Sequence, residues 1–230
     1  MNDLTIPATL DRRPLVGSYT LLNTFKNVCE HQAYRRYIRK DIQFVPTEAS
    51  EWGNAVHKAF EERVGKGKVL PDTMRQWEHY AAPFDAYEVK TELQLGINKE
   101  GRAVGFWDGS TWFRGKIDVA VILNDKAMIT DWKTGSSRFE DSFELGTNAL
   151  LLKAKFPQLR TVVGRYVYLK ENKVGDMYDL SAFAETWREI CQLMAAIELQ
   201  RKTDIWPKKK SGLCGWCNVE DCENYFVARP

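Results

Sequence analysis

The residues best suited to chemistry lie in the segments RGKID and ITDWK, which a short apolar run connects. A two-residue turn at positions 124–125 would place Asp118 directly opposite Asp131. Side chains paired in this way have Cβ atoms about 4.5–5.5 Å apart. Lys133 shares their face because it lies two positions further along the strand. Two such carboxylates repel each other unless a divalent cation lies between them, so the pattern predicts a metal-dependent phosphodiesterase site.

Hydrophobic periodicity predicts the elements that must position these residues. Alternation with a period of two predicts strands, and apolar positions at spacings of three and four predict helices. The predicted helices cover approximately 18–37, 49–64, 73–87, 143–156 and 182–201, and the predicted strands approximately 89–97, 111–123, 126–132 and 161–169. This order predicts an α/β sandwich around a small mixed sheet.

The same periodicity predicts which side chains of the first two helices face the core. It places Cys29 on the apolar face of the first helix, and Trp52, Val56 and Phe60 on that of the second. His57 lies one step round from this apolar face. A histidine there is available to a site beside the core.

The strand–turn–strand arrangement resembles the PD-(D/E)XK nuclease superfamily. The string GKID…ITDWKTG is similar to that of its RecB-like exonuclease branch, and Gly53-Asn-Ala-Val-His57 matches the helical Gly-x-x-x-His motif of that branch. The resemblance implies a restriction-endonuclease-like core, a small mixed sheet flanked by helices, within a single nuclease domain over 1–230. Its parts would be a helical segment at 18–87, the core at 88–201 and a cysteine-rich tail at 202–230.

The resemblance also implies roles for the site residues. Asp118 and Asp131 would be metal ligands, His57 a further ligand, and Lys133 the catalytic lysine. The backbone carbonyl of Trp132 would complete the metal's shell. Hard oxygen ligands suit Mg²⁺ or Mn²⁺, and one imidazole favours Mn²⁺.

The chain departs from the pattern of the branch where a Gln…Tyr motif usually follows the hairpin. At that place it carries Glu144 and Asn148, so the motif is either absent or altered. This departure affects the expected substrate preference more than the expected chemistry. Glu92, on the preceding strand, is a further candidate acid, and we expect all three residues to act at most as accessory groups.

The five cysteines indicate a second centre. Cys214, Cys217 and Cys222 are separated by two and four residues, and thiolates at such spacing converge on one metal centre. Cys29 is the candidate fourth ligand, whereas Cys191 lies among apolar positions and is expected in the core. An odd number of cysteines, three of them clustered, favours metal ligation in a reducing compartment over disulfides.

This cysteine set resembles that of the iron–sulfur members of the RecB-like branch, which include CRISPR-associated exonucleases and AddB-type nuclease domains. The resemblance implies a structural [4Fe–4S] cluster that joins Cys29 to Cys214, Cys217 and Cys222. The proline that usually follows the first cysteine is replaced here by Glu30. Zinc suits four thiolates equally well by ligand count and stays an alternative.

Composition and charge limit the remaining possibilities. The chain has 230 residues, 44% of them hydrophobic, and a net charge of +2. It can therefore bury a real core, and any basic surface must be local. No window approaches the roughly 18 apolar residues of a membrane span, and the first residues lack the apolar core of a signal peptide. We expect a cytoplasmic protein with no membrane partner.

The resemblance implies that the chain is a DNA nuclease, and specifically an exonuclease that acts on single-stranded DNA or DNA ends. Recombination, repair, phage DNA metabolism and CRISPR adaptation are all compatible with it, each with its own protein partners, and no pattern indicates an oligomeric state. Alternatives are a catalytically inactive nuclease fold that binds DNA or supports an assembly, and a hydrolase of another phosphodiester. Trp107 and Trp112 precede the catalytic strand, where exposed rings can stack on single-stranded bases.

Overall fold

The computed structural model describes residues 14–43 and 45–226, and the described part contains one mixed sheet of seven strands. The strands are β1 Val89–Ile97, β2 Ala103–Val104, β3 Phe113–Leu123, β4 Lys126–Lys133, β5 Thr161–Tyr168, β6 Lys173–Val174 and β7 Tyr178–Asp179. They follow the order β2-β1-β3-β4-β5-β6, and β7 pairs with β5. The predicted fold class, helices flanking a small mixed sheet, is confirmed.

Six α-helices and several shorter helical turns accompany these strands in the described residues. The α-helices are α1 Tyr19–Asn23, α2 Glu30–Ala33, α3 Glu48–Lys66, α4 Glu78–Ala81, α5 Ser142–Lys155 and α6 Phe183–Thr203. The 3-10 turns are Asp72–Trp77, Ala82–Ala86, Ser137–Phe139, Leu169–Glu171 and Gly212–Trp216, and the π-helical turns are Thr24–Val28 and Tyr34–Arg39.

The turn between β3 and β4 lies where the sequence predicts it. Leu123 pairs with Lys126, so Asn124 and Asp125 form a two-residue turn. Asn124 has a φ of 55°, in the left-handed region that asparagine tolerates better than most residues. A two-residue turn with a residue in that region fits the twist of an antiparallel hairpin. The predicted hairpin is confirmed.

Strands β4 and β5 run parallel to each other, from the pair Lys126 and Thr161 to the pair Lys133 and Tyr168. Parallel neighbours need a crossover connection, and α5 supplies it. The N-terminal end of α5 therefore follows soon after the end of β4 in the chain. This connection brings a helix close to the residues that end β4.

The first predicted helix, 18–37, is not continuous. Cys29 has an extended backbone, with φ −165° and ψ 125°, and separates the π-helical turn Thr24–Val28 from α2. An extended residue interrupts the helical hydrogen-bond ladder and turns the side chain away from the helix face. The Cys29 thiol is half-buried and accepts a hydrogen bond from the backbone N–H of Lys209 at 3.5 Å. The prediction that Cys29 lies on an apolar helix face is wrong.

Helix α3 is confirmed, with one difference in what it buries. Val56 and Phe60 are fully buried, whereas Trp52 is 41% exposed. Trp52 lies in the second turn of α3, where its ring reaches only the rim of the core, 6.4 Å from the ring of Trp77. The prediction that Trp52 faces the core is therefore wrong.

The third predicted helix, 73–87, is divided into two 3-10 turns with only four α-helical residues between them. Pro83 lies at the start of the second turn, and proline removes a backbone donor and clashes with the preceding turn of an α-helix. Met74, Trp77 and Phe84 are nevertheless buried. The pattern identified the apolar residues correctly and the type of helix only in part.

The largest residue of the core is Trp132 on β4, which is 1% exposed. Its ring lies 4.5 Å from that of Phe60 and 5.9 Å from that of Phe84. Successive side chains of a strand point to opposite faces. The burial of Trp132 therefore directs its neighbours, Asp131 and Lys133, to the other face of the sheet.

The chain forms two compact units. One consists of Pro46–Arg188 and contains the whole sheet, and the other combines Met1–Val45 with Glu189–Pro230. The second unit is therefore discontinuous in sequence. The interpretation of residues 1–230 as one nuclease domain stays a prediction.

Within the described residues, no helix has both the length and the apolar character that crossing a membrane requires.

Arg63 connects α3 to the helical turns that follow it. Its side chain is 10% exposed, its Nε lies 2.6 Å from Oε1 of Glu78, and its two Nη atoms lie 2.7 and 2.8 Å from the carboxylate of Asp85. The hydrogen bonds to Asp85 and Glu78 raise the pKa of Arg63 although burial lowers it. The guanidinium thus fixes two acidic residues at once through its planar fork.

We predict that Arg63→Lys lowers the free energy of unfolding by about 1 kcal/mol, because lysine cannot reproduce the planar fork that contacts Glu78 and Asp85 together. Urea denaturation followed by circular dichroism measures this change. The matched control is Arg75→Lys, since Arg75 is 66% exposed and forms an ion pair with the exposed Asp72. An equal, small loss in both variants would contradict the role assigned to Arg63.

Candidate active site

Asp118 interrupts the hairpin ladder in the middle of β3. The pairing between β3 and β4 extends from the turn to Val119 and Thr130 and stops there, one step before Asp118 and Asp131. In place of a ladder bond, Oδ2 of Asp118 accepts the backbone N–H of Trp132 at 3.0 Å. The two carboxylates are thus on neighbouring strands, at the point where the backbone pairing between those strands ends.

Glu92 is the neighbour of Asp118 on the other side. The pairs before and after it in the β1–β3 ladder put Glu92 across from Asp118, and the ladder is interrupted here too. Glu92 has a φ of 51°, a left-handed conformation that is uncommon for a residue other than glycine and redirects the side chain. We expected Glu92 to act at most as an accessory group, and its position beside Asp118 follows from the register between β1 and β3. Its backbone conformation was not predictable from the pattern.

His57 reaches Asp118 from α3. Its Nδ1 lies 3.2 Å from Oδ2 of Asp118. Burial lowers the pKa of His57, but the hydrogen bond to Asp118 and the negative charge of that residue outweigh this effect and raise it. The buried neighbours Val56 and Phe60 anchor α3 in the core, so the imidazole is held at the sheet by packing.

His57, Glu92 and Asp118 form a group that fits a divalent cation. One nitrogen and two carboxylate oxygens lie within 4.8 Å of one another. Carboxylate oxygens suit Mg²⁺ and Mn²⁺, and an imidazole is accepted better by Mn²⁺. These residues come from α3, β1 and β3, so the site exists only in the folded chain.

Lys133 lies among carboxylates on the face of β4 opposite Trp132. Its Nζ is 2.9 Å from Oδ1 of Asp131 and 2.8 Å from Oε2 of Glu144 at the start of α5. Burial lowers the pKa of Lys133, but the charges of both acids raise it well above its ordinary value. The ammonium group therefore stays charged and is held in one place.

Asp131 is buried between Lys133 and Asp118. Burial and the charge of Asp118 raise the pKa of Asp131 far above its ordinary value, although Lys133 opposes them. The site contains four carboxylates, those of Glu92, Asp118, Asp131 and Glu144, whereas the lysines that contact them are Lys133 and Lys116. This excess of negative charge is what a bound divalent cation would neutralise.

The other residues that the sequence selected have different positions. Asn148 is buried in α5 and faces β3, where its Oδ1 would lie 3.0 Å from a Cβ added to Gly115. Glu144 contacts Lys133, the candidate catalytic lysine, directly. The two residues at the place of the altered motif therefore differ, since Glu144 lies at the site and Asn148 faces Gly115 of β3. The role of the Trp132 carbonyl as a ligand stays a prediction.

A separate group of cysteines lines a cavity that is open to solvent. Its four cysteines are Cys29, Cys214, Cys217 and Cys222, all with free thiols. Burial raises the pKa of Cys217, and the other three cysteines raise it further against a hydrogen bond from the Val219 backbone. Cys29 and the predicted triad therefore lie at one cavity.

Backbone N–H groups point at two of these sulfurs. Lys209 donates to Sγ of Cys29 at 3.5 Å, and Ser211 donates to Sγ of Cys214 at 3.3 Å. Arg35 supports the same loop by contacting both carboxylate oxygens of Asp221 at 2.9 Å. Backbone N–H groups directed at cysteine sulfurs are typical of the shell around metal-ligating cysteines. Cys191, which the sequence placed in the core, is half-buried and does not line the cavity.

Comparisons with known proteins identify the family and the fold of the chain. The family profile described as PD-(D/E)XK nuclease superfamily matches residues 68–222. Among solved structures, SSO0001 aligns with a TM-score of 0.54 and 13% identity, covering 94% of this chain and 89% of its own. A protein from Eubacterium rectale, named as a candidate exonuclease, aligns with a TM-score of 0.53 and 12% identity, covering 100% and 96%. No curated protein matches the chain.

We predict that Mn²⁺ stabilises the protein and that Glu92→Gln weakens Mn²⁺ binding by at least about tenfold, because it removes one of three converging ligands. A saturating ion, at roughly 100 times its Kd, should add about 2.7 kcal/mol to the free energy of unfolding. Isothermal titration calorimetry measures the affinity, and thermal unfolding with and without Mn²⁺ measures the stabilisation.

The matched control is Glu88→Gln, since Glu88 has a 91% exposed side chain next to the start of the same strand. Asp131→Asn, tested in parallel, separates the two possible ligand sets. If Asp131→Asn abolishes Mn²⁺ binding and Glu92→Gln leaves it unchanged, the group of His57, Glu92 and Asp118 is not the ligand set.

Proposed function

Because the chain belongs to the PD-(D/E)XK nuclease superfamily, we propose that it is a metal-dependent deoxyribonuclease that hydrolyses phosphodiester bonds at the site around Asp118. Its mixed sheet with flanking helices is the restriction-endonuclease-like fold of that superfamily. We further propose an exonuclease that acts on single-stranded DNA or DNA ends. The name of the similar protein from Eubacterium rectale supports this choice.

The proposal rests on one observation. A charged lysine lies beside a group of carboxylates that could bind a divalent cation. Lys133 forms ion pairs with Asp131 and Glu144 near the point where the pairing between β3 and β4 ends. Asp118, on the neighbouring strand, belongs to the group with His57 and Glu92. Phosphodiester hydrolysis needs a nucleophile from water and a positive field for the phosphate. The residues around this point can supply both.

The residues have distinct roles in this proposal. His57, Glu92, Asp118 and Asp131 are the groups that would hold a divalent ion, which lowers the pKa of a bound water and offsets charge on the phosphate when present. Lys133 orients the attacking oxygen or stabilises the charge that develops on the phosphate. Its two acidic partners keep it protonated, so it acts by its charge and hydrogen bonds.

Glu144 holds Lys133 in position from α5. Because it contacts Nζ directly at 2.8 Å, it restricts the lysine to the side of the strand where Asp131 lies. Oε2 of Glu144 also lies 3.4 Å from the hydroxyl of Tyr166, so the carboxylate itself is fixed. Glu144 is a positioning residue in this proposal.

The biological setting that we propose is DNA processing in recombination, repair, phage DNA metabolism or CRISPR adaptation. The partner class common to these settings is DNA with free ends. The proposal requires that linear substrates be degraded and that circles persist.

We predict that Lys133→Ala lowers the rate of DNA digestion by roughly 100-fold or more, because it removes a charge directed at the developing transition state. The assay follows end-labelled linear and circular DNA, single- and double-stranded, with Mn²⁺, Mg²⁺ or EDTA. Lys126→Ala is the matched control, since Lys126 is exposed at the turn end of the same strand.

Each result of this assay has a defined meaning. The exonuclease proposal is supported if wild type and Lys126→Ala degrade linear DNA in a metal-dependent way and Lys133→Ala does not. Cleavage of circular DNA would mean that the protein is an endonuclease instead. DNA binding without cleavage by metal-loaded wild-type protein would favour the inactive DNA-binding module.

For the second unit of the chain, we propose that four of its five cysteines, Cys29, Cys214, Cys217 and Cys222, hold a [4Fe–4S] cluster with a structural role. In the described residues, no three cysteine sulfurs lie within 4.8 Å of one another. Tetrahedral zinc with bonds of 2.3 Å would bring sulfurs to about 3.8 Å from one another. A cluster binds each thiolate to a different iron and accepts a wider spacing. Free thiols at all five cysteines support a reducing compartment.

We predict that protein purified without oxygen contains iron and acid-labile sulfide, and that Cys222→Ser loses both along with thermal stability, because a metal centre contributes folding free energy. Metal analysis, visible absorbance and thermal unfolding measure these changes. Cys191→Ser is the control, since Cys191 does not line the cavity. Stoichiometric zinc without iron would replace the cluster by a zinc site.

A further inference from the structure

The most exposed large aromatic ring before the catalytic strand is that of Trp107, which is 75% exposed. It does not lie free in the loop. The guanidinium of Arg114 stacks over it at 4.2 Å and over the ring of Phe106 at 4.7 Å. Nη1 of Arg114 also donates to the carbonyl of Phe106 at 3.2 Å. The cation supports the ring from one side, and most of the ring surface remains open.

The loop that carries Trp107 is held by its own hydrogen bonds. Oγ1 of Thr111 donates to the carbonyl of Gly105 at 2.7 Å, and the backbone N–H of Thr111 donates to the carbonyl of Asp108 at 3.0 Å. The carboxylate of Asp108 accepts two hydrogen bonds from Ser110. The carboxylate of Asp108, next to Trp107 in sequence, is therefore hydrogen-bonded within the loop. These hydrogen bonds hold the backbone that carries the ring.

The two tryptophans that the sequence singled out have different environments. Trp112 lies edge-on against Trp187, with ring centroids 5.4 Å apart, and is half-buried. It is a packing residue. Trp107 also contacts one ring, that of Phe106 edge-on at 4.9 Å, but its side chain stays 75% exposed. A ring left in water forgoes about 25 cal/mol of stabilisation for each Å² that burial would have removed from water. Folding alone does not explain why a rigid loop presents it.

A line of basic residues connects this ring to the active site. Arg114 and Lys116 lie two positions apart on β3 and so share a face. Lys116 forms an ion pair with Glu92, one of the three residues that would hold the cation. Along β3, Arg114 precedes Asp118 by about 13 Å. Arg114, which supports the ring, thus lies on the same strand as Asp118, with Lys116 between them.

We propose that Trp107, supported by Arg114 and Phe106, is a stacking platform for a nucleobase of single-stranded DNA that leads into the active site. This inference rests on the proposed nuclease function and names its substrate contact. Nucleobases stack on aromatic side chains without sequence preference, and nearby cations neutralise the backbone phosphates. A paired base hides its flat faces in the duplex, so the platform selects unpaired strands.

The test measures binding without cleavage. Fluorescence anisotropy of a labelled oligothymidine in EDTA should show Trp107→Ala binding between about 5-fold and 100-fold more weakly than wild type. Trp107→Phe keeps a π face and should recover most of the affinity, whereas Trp107→Leu keeps only apolar area and should not. Blunt duplex DNA should bind all variants alike. Trp216→Ala is the matched control, because Trp216 is 73% exposed elsewhere in the chain.

A second measurement localises the contact. Oligonucleotides with a single abasic site at successive positions remove one base at a time. In wild type, one or two positions should weaken binding, and in Trp107→Ala the same positions should add no further loss, because the stacking partner is already gone. Circular dichroism of each variant confirms that the fold is intact.

The outcomes separate this inference from the nuclease proposal. Unchanged oligothymidine binding by Trp107→Ala, or recovery by leucine as complete as by phenylalanine, overturns the platform and leaves cleavage by the Lys133 site unaffected. A protein that never cleaves DNA yet loses single-strand binding in Trp107→Ala keeps the platform and loses the nuclease function. Wild-type protein that does not bind single-stranded DNA overturns the platform outright.

Discussion

Mutual repulsion among carboxylates that folding forces together is the constraint on which the site depends. Glu92, Asp118 and Asp131 come from three adjacent strands, and each would be better solvated if the sheet were unfolded. The sheet keeps them together because apolar packing beneath it, centred on Trp132, is far more extensive than the site. The result is a fold that stores an unbalanced negative charge at one place. A divalent cation bound at such a place would offset the repulsion that otherwise costs the fold stability.

Backbone irregularity is the means by which the sheet tolerates this crowding. A regular ladder through Asp118 would fix all three carboxylates at pairing distance. Instead the ladder is interrupted on both sides, and Asp118 uses one oxygen to accept the N–H of Trp132 that the ladder would otherwise have used. Glu92 takes a left-handed backbone conformation. The acids can therefore turn toward His57 and Lys133, which offset part of the repulsion.

Much of this arrangement could be predicted from the sequence, for physical reasons. Alternation and a two-residue turn determine register, so the hairpin and the neighbourhood of Asp118, Asp131 and Lys133 follow from local patterns. The break of the first helix at Cys29 and the exposure of Trp52 do not, because they depend on contacts with distant segments. The position of Glu144 beside Lys133 depends on where α5 begins after the crossover. Local patterns leave such helix ends uncertain.

The four cysteines proposed as ligands illustrate a consequence of chain order. Cys29 is made early, and Cys214 follows about 185 residues later, which corresponds to roughly 10–40 seconds of synthesis at 5–20 residues per second. The whole of Pro46–Arg188, with every strand of the sheet, leaves the ribosome in that interval. A metal centre that needs all four thiols can assemble only after the sheet has had time to fold. Cofactor insertion would then be the last step in maturation, and a nascent chain arrested before Cys214 would carry the complete hairpin with one of the four proposed ligand thiols, that of Cys29.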